Sequence, residues 1–254
     1  MSAVNDTHVW VHGHNGKMGR EILGLFDAGR NPDGLMLRGG SGSGTSGAEL
    51  ESGLGASDCV IDFSTVAGNE VLLQHLEQGS AKPASVILGT TGLSESVLGR
   101  WKVLAKKRAF RLLIAPNTSV GILMTLRAAL SVAGLCSKQN FDIEIVETHH
   151  RGKKDAPSGT AAFLADQISE SVGQPWTSGR QGERARDEIG VHAIRGGGVF
   201  GEHSVRLIGD FEEITISHRA FSRTLFASGS LILAVWLLKQ PPGAYTILDV
   251  DDHP

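Results

Sequence analysis

Val9-Trp10-Val11-His12-Gly13-His14-Asn15-Gly16-Lys17-Met18-Gly19 begins with an apolar run and ends in a loop with glycines at every third position. Val9-Trp10-Val11 reads as a short strand, and Arg20 to Ala28 reads as a helix. Strand, glycine loop and helix in that order form the setting in which a dinucleotide fingerprint becomes credible. The spacing is G-x-x-G-x-x-G rather than the common G-x-G-x-x-G, but the physical roles carry over. One glycine allows the turn, the next lets the backbone approach a pyrophosphate, and the third lets helix and strand pack closely. The N-terminus of the helix then offers free N–H groups to phosphate, and Lys17 adds a cation.

Outward from this stretch the chain alternates. Leu35-Met36-Leu37 reads as a second strand ending at Arg38-Gly39-Gly40, and Gly39 to Gly47 as a mobile surface loop. Cys59-Val60-Ile61-Asp62-Phe63 is a continuous run, apolar apart from Asp62, as a buried parallel strand should be, and Val66 to Gln78 reads as a helix. Ser85-Val86-Ile87-Leu88 and Leu112-Leu113-Ile114-Ala115 are further strands, with a helix between them that Ser94 caps. Strands alternating with helices predict a parallel sheet, which binds ligands at the carboxyl ends of its strands. The loops at Gly13, Ser64, Gly89 and Pro116 all fall there.

The pattern changes after Val120. A helix to Leu135, the strand Phe141 to Glu147 and a helix to Val172 are followed by a polar, irregular segment, Gly173 to Gly190. Val191 to Ile194, Gly201 to Ile208 and Glu212 to His218 then read as β segments without helices between them. The predicted fold class is α/β: a Rossmann-like parallel-sheet domain followed by an α+β domain with a mixed sheet. The apolar helix Thr224 to Leu238 is predicted to pack back on the first. The dinucleotide-binding domain is therefore assigned to residues 1–119 and 224–254, and a substrate-binding and oligomerisation domain to 120–223.

Composition narrows the function. At 254 residues, with 41% hydrophobic and 20% charged residues, the chain is an ordinary globular one. A net charge of -3 leaves no footprint for nucleic acid. Cys59 and Cys136 lie in apolar segments and read as small buried hydrophobes rather than a disulfide. Met1 to Thr7 has no basic region or long apolar core, so no signal peptide is expected. Leu225 to Leu238 is too short to span a bilayer. No membrane association and a cytoplasmic location are the expectation.

The chemistry concentrates in Glu147-Thr148-His149-His150-Arg151-Gly152-Lys153-Lys154-Asp155-Ala156-Pro157-Ser158-Gly159-Thr160-Ala161. It joins a strand to a helix, where binding and catalytic groups are often carried. Arg151, Lys153 and Lys154 suit a small anion, and the Gly159 and Thr160 N–H groups open a helix whose dipole favours one. Hydride transfer from a dinucleotide must be accompanied by a proton, and His149 and Lys153 are the candidate acids. Adjacent histidines with no nearby cysteine make a poor metal site, and no metal is expected. A Schiff-base role for Lys153 would leave the dinucleotide loops idle. His192, His203 and His218 read as structural. Glu202 and His203 could position a substrate; Arg223 fits either the cofactor or a salt bridge.

Several runs occur together in order: Gly13-x-x-Gly16-Lys17-Met18-Gly19, Ile61-Asp62-Phe63-Ser64, Gly89-Thr90-Thr91-Gly92, Ala115-Pro116-Asn117-Thr118-Ser119-Val120-Gly121, the Glu147–Ala161 run, Gly201-Glu202-His203 and Ser222-Arg223. Over nearly the whole chain this resembles the 4-hydroxy-tetrahydrodipicolinate (dihydrodipicolinate) reductase family. The resemblance implies an NADPH- or NADH-dependent reductase of diaminopimelate and lysine biosynthesis, built as a homotetramer. It implies His149 as the catalytic histidine and Lys153 as proton donor. His150, Gly159 and Thr160 would bind substrate. Gly13, Asn15, Gly16, Lys17, Met18, Gly89, Thr90, Thr91, Ala115, Pro116, Asn117 and Thr118 would contact the cofactor. The chain departs from the family twice. No acid follows the second strand to take a ribose 2′-hydroxyl; Arg38, roughly in its place, either meets a 2′-phosphate, favouring NADPH, or is an exposed arginine beside a loop. Thr118 stands where phenylalanine is common. Two other readings compete: an amino-acid dehydrogenase of the same plan, opposed by the long His-His-Arg-x-Lys match, and a catalytically silent dinucleotide sensor, opposed by intact His149 and Lys153.

Overall fold

The computed structural model describes residues 6–81, 83–136 and 139–251; the signal-peptide expectation rests largely on residues 1–5, outside that set. The chain divides into two compact units, Met1–Ser119 with Arg223–Pro254, and Val120–Ser222.

In the first unit β1 (Thr7–His12), β2 (Leu35–Ser41), β3 (Cys59–Asp62), β4 (Ser85–Leu88), β5 (Arg111–Ile114) and β11 (Gly243–Thr246) form one sheet. Its order is β11-β5-β4-β3-β1-β2, with every pair parallel. Every residue of β3 and β4 is buried, which requires helices on both faces. On one face Trp10, Leu54, Leu72, Leu76, Trp101 and Leu104 form a core with α2 (Gly47–Gly55), α3 (Val66–Gln78) and α4 (Glu95–Arg108). Each large apolar side chain buried there stabilises the fold by about 1.5–3 kcal/mol. Also in this unit are α1 (Lys17–Asp27) and α7 (Thr224–Leu238), which contact one another. α7 is apolar on all sides, as a fully packed helix must be, and Leu231, Leu233, Ala234 and Leu237 are completely buried.

The second strand differs from the sequence expectation. It does not end near Arg38 but continues to Ser41. The register slips between Val9, paired with Leu37, and Trp10, paired with Gly39, so Arg38 is the extra residue of a bulge. The Gly39–Gly47 stretch is accordingly not one mobile loop. Gly39 to Ser41 are strand, and Gly47 starts α2 behind a Ser46–Glu49 capping box. Only residues 42–46 connect them, in a turn closed by the Thr45 N–H on the Gly42 carbonyl, 3.0 Å, and the Gly42 N–H on Thr45 Oγ1, 3.0 Å. α2 and β11 were not expected from the sequence.

The second unit has a five-stranded sheet, β10-β9-β6-β8-β7, from β6 (Asp142–His149), β7 (Trp176–Ser178), β8 (Ile189–Arg195), β9 (Gly201–Ile208) and β10 (Glu213–Ala220). β6–β8 and β7–β8 are parallel, β6–β9 and β9–β10 antiparallel. α5 (Val120–Cys136) and α6 (Gly159–Val172) cover the face that carries Ile143, Ile145, Val205 and Leu207. Period-two alternation puts Val146, Thr148, Ile194, Ser204 and Ser217 on the other face, where they are half-buried or exposed. The segment expected to be irregular contains β7, and Arg180 and Arg184 tie it to the β6 residue Glu144 at 2.5 and 3.2 Å. Cys59 and Cys136 are both buried and unbridged.

Candidate active site

The strand order of the first unit reverses between β1 and β3, and parallel sheets bind ligands at such a switch point. Gly13 sits there with φ +87°, and a Cβ on it would lie 2.7 Å from the Phe63 carbonyl oxygen and the Ser64 nitrogen. Gly19 has no room for a side chain because Gly13 O and His14 Cα occupy the space. Gly89 is likewise filled by the Phe63 ring. Gly16 caps α1 without any side-chain hydrogen bond, so the first N–H groups of the helix are offered to an anion. A cavity of about 270 Å³ at this edge is lined by Met18, Phe63, Gly89, Thr91, Pro116 and Thr118, with Phe226 from α7. These residues fit a pyrophosphate-linked dinucleotide.

Buried polar groups hold the edge in shape. Asp62, fully buried, accepts from the Ser64 N–H (2.9 Å), Asn69 Nδ2 (2.6 Å) and Thr90 Oγ1 (2.9 Å). His12 Nε2 meets the Gly68 carbonyl at 2.9 Å, so that nitrogen carries the proton and Nδ1 accepts from Ser41 Oγ at 2.7 Å. Among the expected cofactor residues, Gly13, Gly16, Gly89 to Thr91 and Ala115 to Thr118 belong to the loops at this edge, Met18 lies in the first turn of α1, and Asn15 on the glycine loop and Lys17 at the start of α1 are exposed. Two side chains are committed inward: the Thr90 hydroxyl donates to Asp62, and Thr118 Oγ1 donates to the Phe226 carbonyl at 2.7 Å. Arg38 lies three residues before the end of its strand. It lines a separate cavity of about 790 Å³ with Gly44, Thr45, Ala48 and Ser52.

In the second unit β6 ends at His149 and α6 starts at Gly159, so one connection carries His150, Lys153 and the helix N-terminus. Ser158 caps α6, accepting from the Ala161 N–H at 3.2 Å. Gly159 and Thr160 form its first turn. Lys153 Nζ pairs with Asp155 Oδ1 at 3.0 Å. His149 Nδ1 lies 2.5 Å from Glu147 Oε2, and His149 is mostly buried. Burial pushes the His149 imidazole below its ordinary pKa; Glu147 offsets part of this, while Lys153 and Arg195 add to it. Burial would raise the Glu147 carboxyl, but Arg195, His149 and the Ser158 N–H together hold it below the usual range. His203 stacks edge-on to His149 with centroids 5.2 Å apart, and burial drives its pKa down to about 3.

The sequence reading named Glu147, Ser158 and His203 without joining them, and it did not single out Arg195. Glu147 and His149 are two apart on a strand, hence on one face, a relation the alternation of β6 already contained. Arg195 reaches Glu147 only through the β6–β8 register, and Ser158 and His203 meet, at 3.2 Å, only through the β9 pairing. None of these three could be paired from spacing. Asp62 stood in view as the one charge in an apolar strand. Among the described residues no cluster of histidine, cysteine or carboxylate side chains is arranged to hold a metal ion.

A glycine-turned parallel sheet for a dinucleotide, together with a histidine–lysine loop beside a helix N-terminus, defines a class: a nicotinamide-dependent oxidoreductase of small anionic substrates. Comparison with known proteins makes this particular. Residues 7–118 match the family model for the N-terminus of dihydrodipicolinate reductase, and residues 121–250 match the model for its C-terminus. The 4-hydroxy-tetrahydrodipicolinate reductase of Syntrophobacter fumaroxidans is 38% identical, covering 92% of this chain and 95% of the relative. That of Aquifex aeolicus is 41% identical over 80% of this chain and 76% of the relative. A dipicolinate-bound dihydrodipicolinate reductase from Paenisporosarcina sp. TG-14 shares the fold, with TM-score 0.72 and 24% identity over 94% of this chain and 97% of the other. The chain belongs to the dihydrodipicolinate reductase family, and is an oxidoreductase of diaminopimelate and lysine biosynthesis.

Proposed function

We propose that the chain reduces 4-hydroxy-2,3,4,5-tetrahydrodipicolinate, with loss of water, to tetrahydrodipicolinate, with His149 and Lys153 as its proton-handling groups. The observation that carries this reading is the single β6–α6 connection. It holds a histidine against a buried carboxylate, a lysine four residues on, and the first turn of a helix. When bound, the reduced nicotinamide supplies the hydride; the protein supplies position and protons. The Gly159 and Thr160 N–H groups anchor a substrate carboxylate at the positive end of α6. His150 adds a further contact to substrate. Lys153, now held by Asp155, turns to the substrate and delivers the proton that completes reduction.

Cofactor choice follows from the end of β2. The residues there are Ser41, Gly42, Ser43 and Gly44, with no carboxylate to take a ribose 2′-hydroxyl and none to repel a 2′-phosphate. Arg38, lining one cavity with Gly44 and Thr45, supplies a cation next to that turn. Both features favour NADPH over NADH. The bare face of the second unit's sheet, with exposed Ile194 on it, supports assembly into a homotetramer. No described helix is long and apolar enough to cross a membrane, which accords with a cytoplasmic place of work.

The deciding experiment mixes the protein with enzymatically generated hydroxy-tetrahydrodipicolinate and NADPH or NADH, and follows absorbance of the reduced nicotinamide. Oxidation that depends on substrate is the expected result. No oxidation with either cofactor would overturn the reading.

A further inference from the structure

His149 is the last residue of β6, and the register sets Arg195 of β8 directly beside it. Glu147, two residues earlier on the same face, has no exposed surface. It accepts from His149 Nδ1 at 2.5 Å, Arg195 Nη1 at 2.8 Å, Arg195 Nη2 at 2.7 Å and the Ser158 N–H at 2.9 Å. An ionised carboxylate only accepts hydrogen bonds, and the paired guanidinium keeps it ionised. The proton shared with His149 therefore resides on Nδ1. Neutral His149 presents Nε2 as a lone pair, and cationic His149 presents it as N–H. Nε2 in turn faces Gly201 of β9, where a Cβ would lie 3.0 Å away. Gly201 has no left-handed φ, so its backbone would accept alanine. What glycine provides at this position is clearance at Nε2.

We propose that Glu147, clamped by Arg195 and the Ser158 N–H, is a positioning residue that fixes the tautomer and ring orientation of His149, and that Gly201 keeps the reacting Nε2 uncovered. This rests on His149 handling a proton in the reduction. The groups facing His149 are Glu147 from its own strand, Arg195 from β8, Lys153 from the β6–α6 connection and His203 from β9. Only Glu147 carries a charge that favours the imidazolium; Lys153 and Arg195 oppose it. Without that charge His149 gives up its proton at lower pH. The same carboxylate also holds the Ser158 N–H, so the histidine and the start of α6 share one anchor.

The test compares wild type, Glu147→Gln, Gly201→Ala and His149→Gln. Nitrogen-15 NMR of histidine-labelled wild type should show neutral His149 protonated at Nδ1, a result that needs neither turnover nor a variant. In Glu147→Gln the tautomers should mix. There kcat should fall roughly 10²-fold or more, the pH limb that reports His149 should move to lower pH, and dinucleotide affinity by fluorescence titration should hold. Gly201→Ala should lower kcat with the wild-type tautomer signal intact. Neutral wild-type His149 protonated at Nε2 overturns the proposal, as does Glu147→Gln with wild-type kcat and pH profile. Should Glu147→Gln fail to fold, the wild-type spectrum and Gly201→Ala decide. If His149→Gln keeps full kcat, it is the assignment of His149 that fails, and the NMR result still reports on Glu147 independently.

Discussion

Lys153 and His203 illustrate two different uses of a polar side chain. Lys153 is about a quarter exposed and paired with a half-exposed Asp155, so a single solvent-facing ion pair holds it. Lys153→Ala should lower kcat by roughly 10²–10⁴, the usual worth of general-acid assistance, with dinucleotide affinity unchanged. Steady-state kinetics beside a binding titration checks this, and an unchanged kcat removes Lys153 from the catalytic set. His203 is a buried neutral ring facing His149, Glu147, His218, Lys153 and Ser158, with its pKa at about 3 instead of 6.5. The unfolded chain takes up a proton there below about pH 6.5 and the folded chain does not. Its contribution to stability is complete above that pH and declines as pH falls toward 3, by up to about 1.4 kcal/mol per pH unit. His149 and His218, also depressed by burial, act in the same direction. Urea midpoints measured between pH 7 and 5 should therefore fall for wild type, and less steeply for His203→Gln. Arg38→Ala should raise KM for NADPH more than for NADH; equal changes in the two would remove the 2′-phosphate role.

Elements depend on a few backbone and capping features. α1 can approach β1 only because Gly19 lacks a side chain. Gly19→Ala should weaken dinucleotide binding and lower the melting temperature together, since the loop and the helix would have to separate; calorimetry and a titration would show both. α2 depends on its N-terminal capping box, in which Ser46 Oγ accepts from the Glu49 N–H and Glu49 accepts from the Ser46 N–H at 2.9 Å. Ser46→Ala should cost about 1 kcal/mol, read from chemical denaturation. The glycine loop, the strand–helix alternation and the start of α6 at Gly159 were all legible in the sequence, because each is decided within a few neighbouring residues. The bulge at Arg38 was not. Leu35-Met36-Leu37-Arg38 looks complete as a short strand, and only pairing with β1 continues it to Ser41. β11 was hidden for the same reason, since Gly243-Ala244-Tyr245-Thr246 is weak as a strand until β5 offers an edge.

At the scale of the whole molecule, the described helices of the second unit, α5 and α6, pack on one sheet face, and Phe211 is fully exposed beyond β9 and Phe221 largely exposed beyond β10. Assembly of copies through this unit predicts that Ile194→Asp shifts the protein to a smaller species in light scattering; an unchanged mass would refute assembly through the face that carries Ile194. The long motifs of the sequence carried its resemblance to the reductase family, while its local patterns determined the α/β alternation, the glycine turn after β1 and the strand-to-helix connection before α6. Those local patterns have period two, period 3.6 or fixed short spacing, imposed by backbone geometry. Only the tertiary structure decided that Arg195 clamps Glu147 from 48 positions away, that His203 packs on His149, and that Gly201 stands at Nε2. Those partnerships arise from strand register, which is set by burial of whole faces at once and leaves no mark in the spacing of the residues it joins.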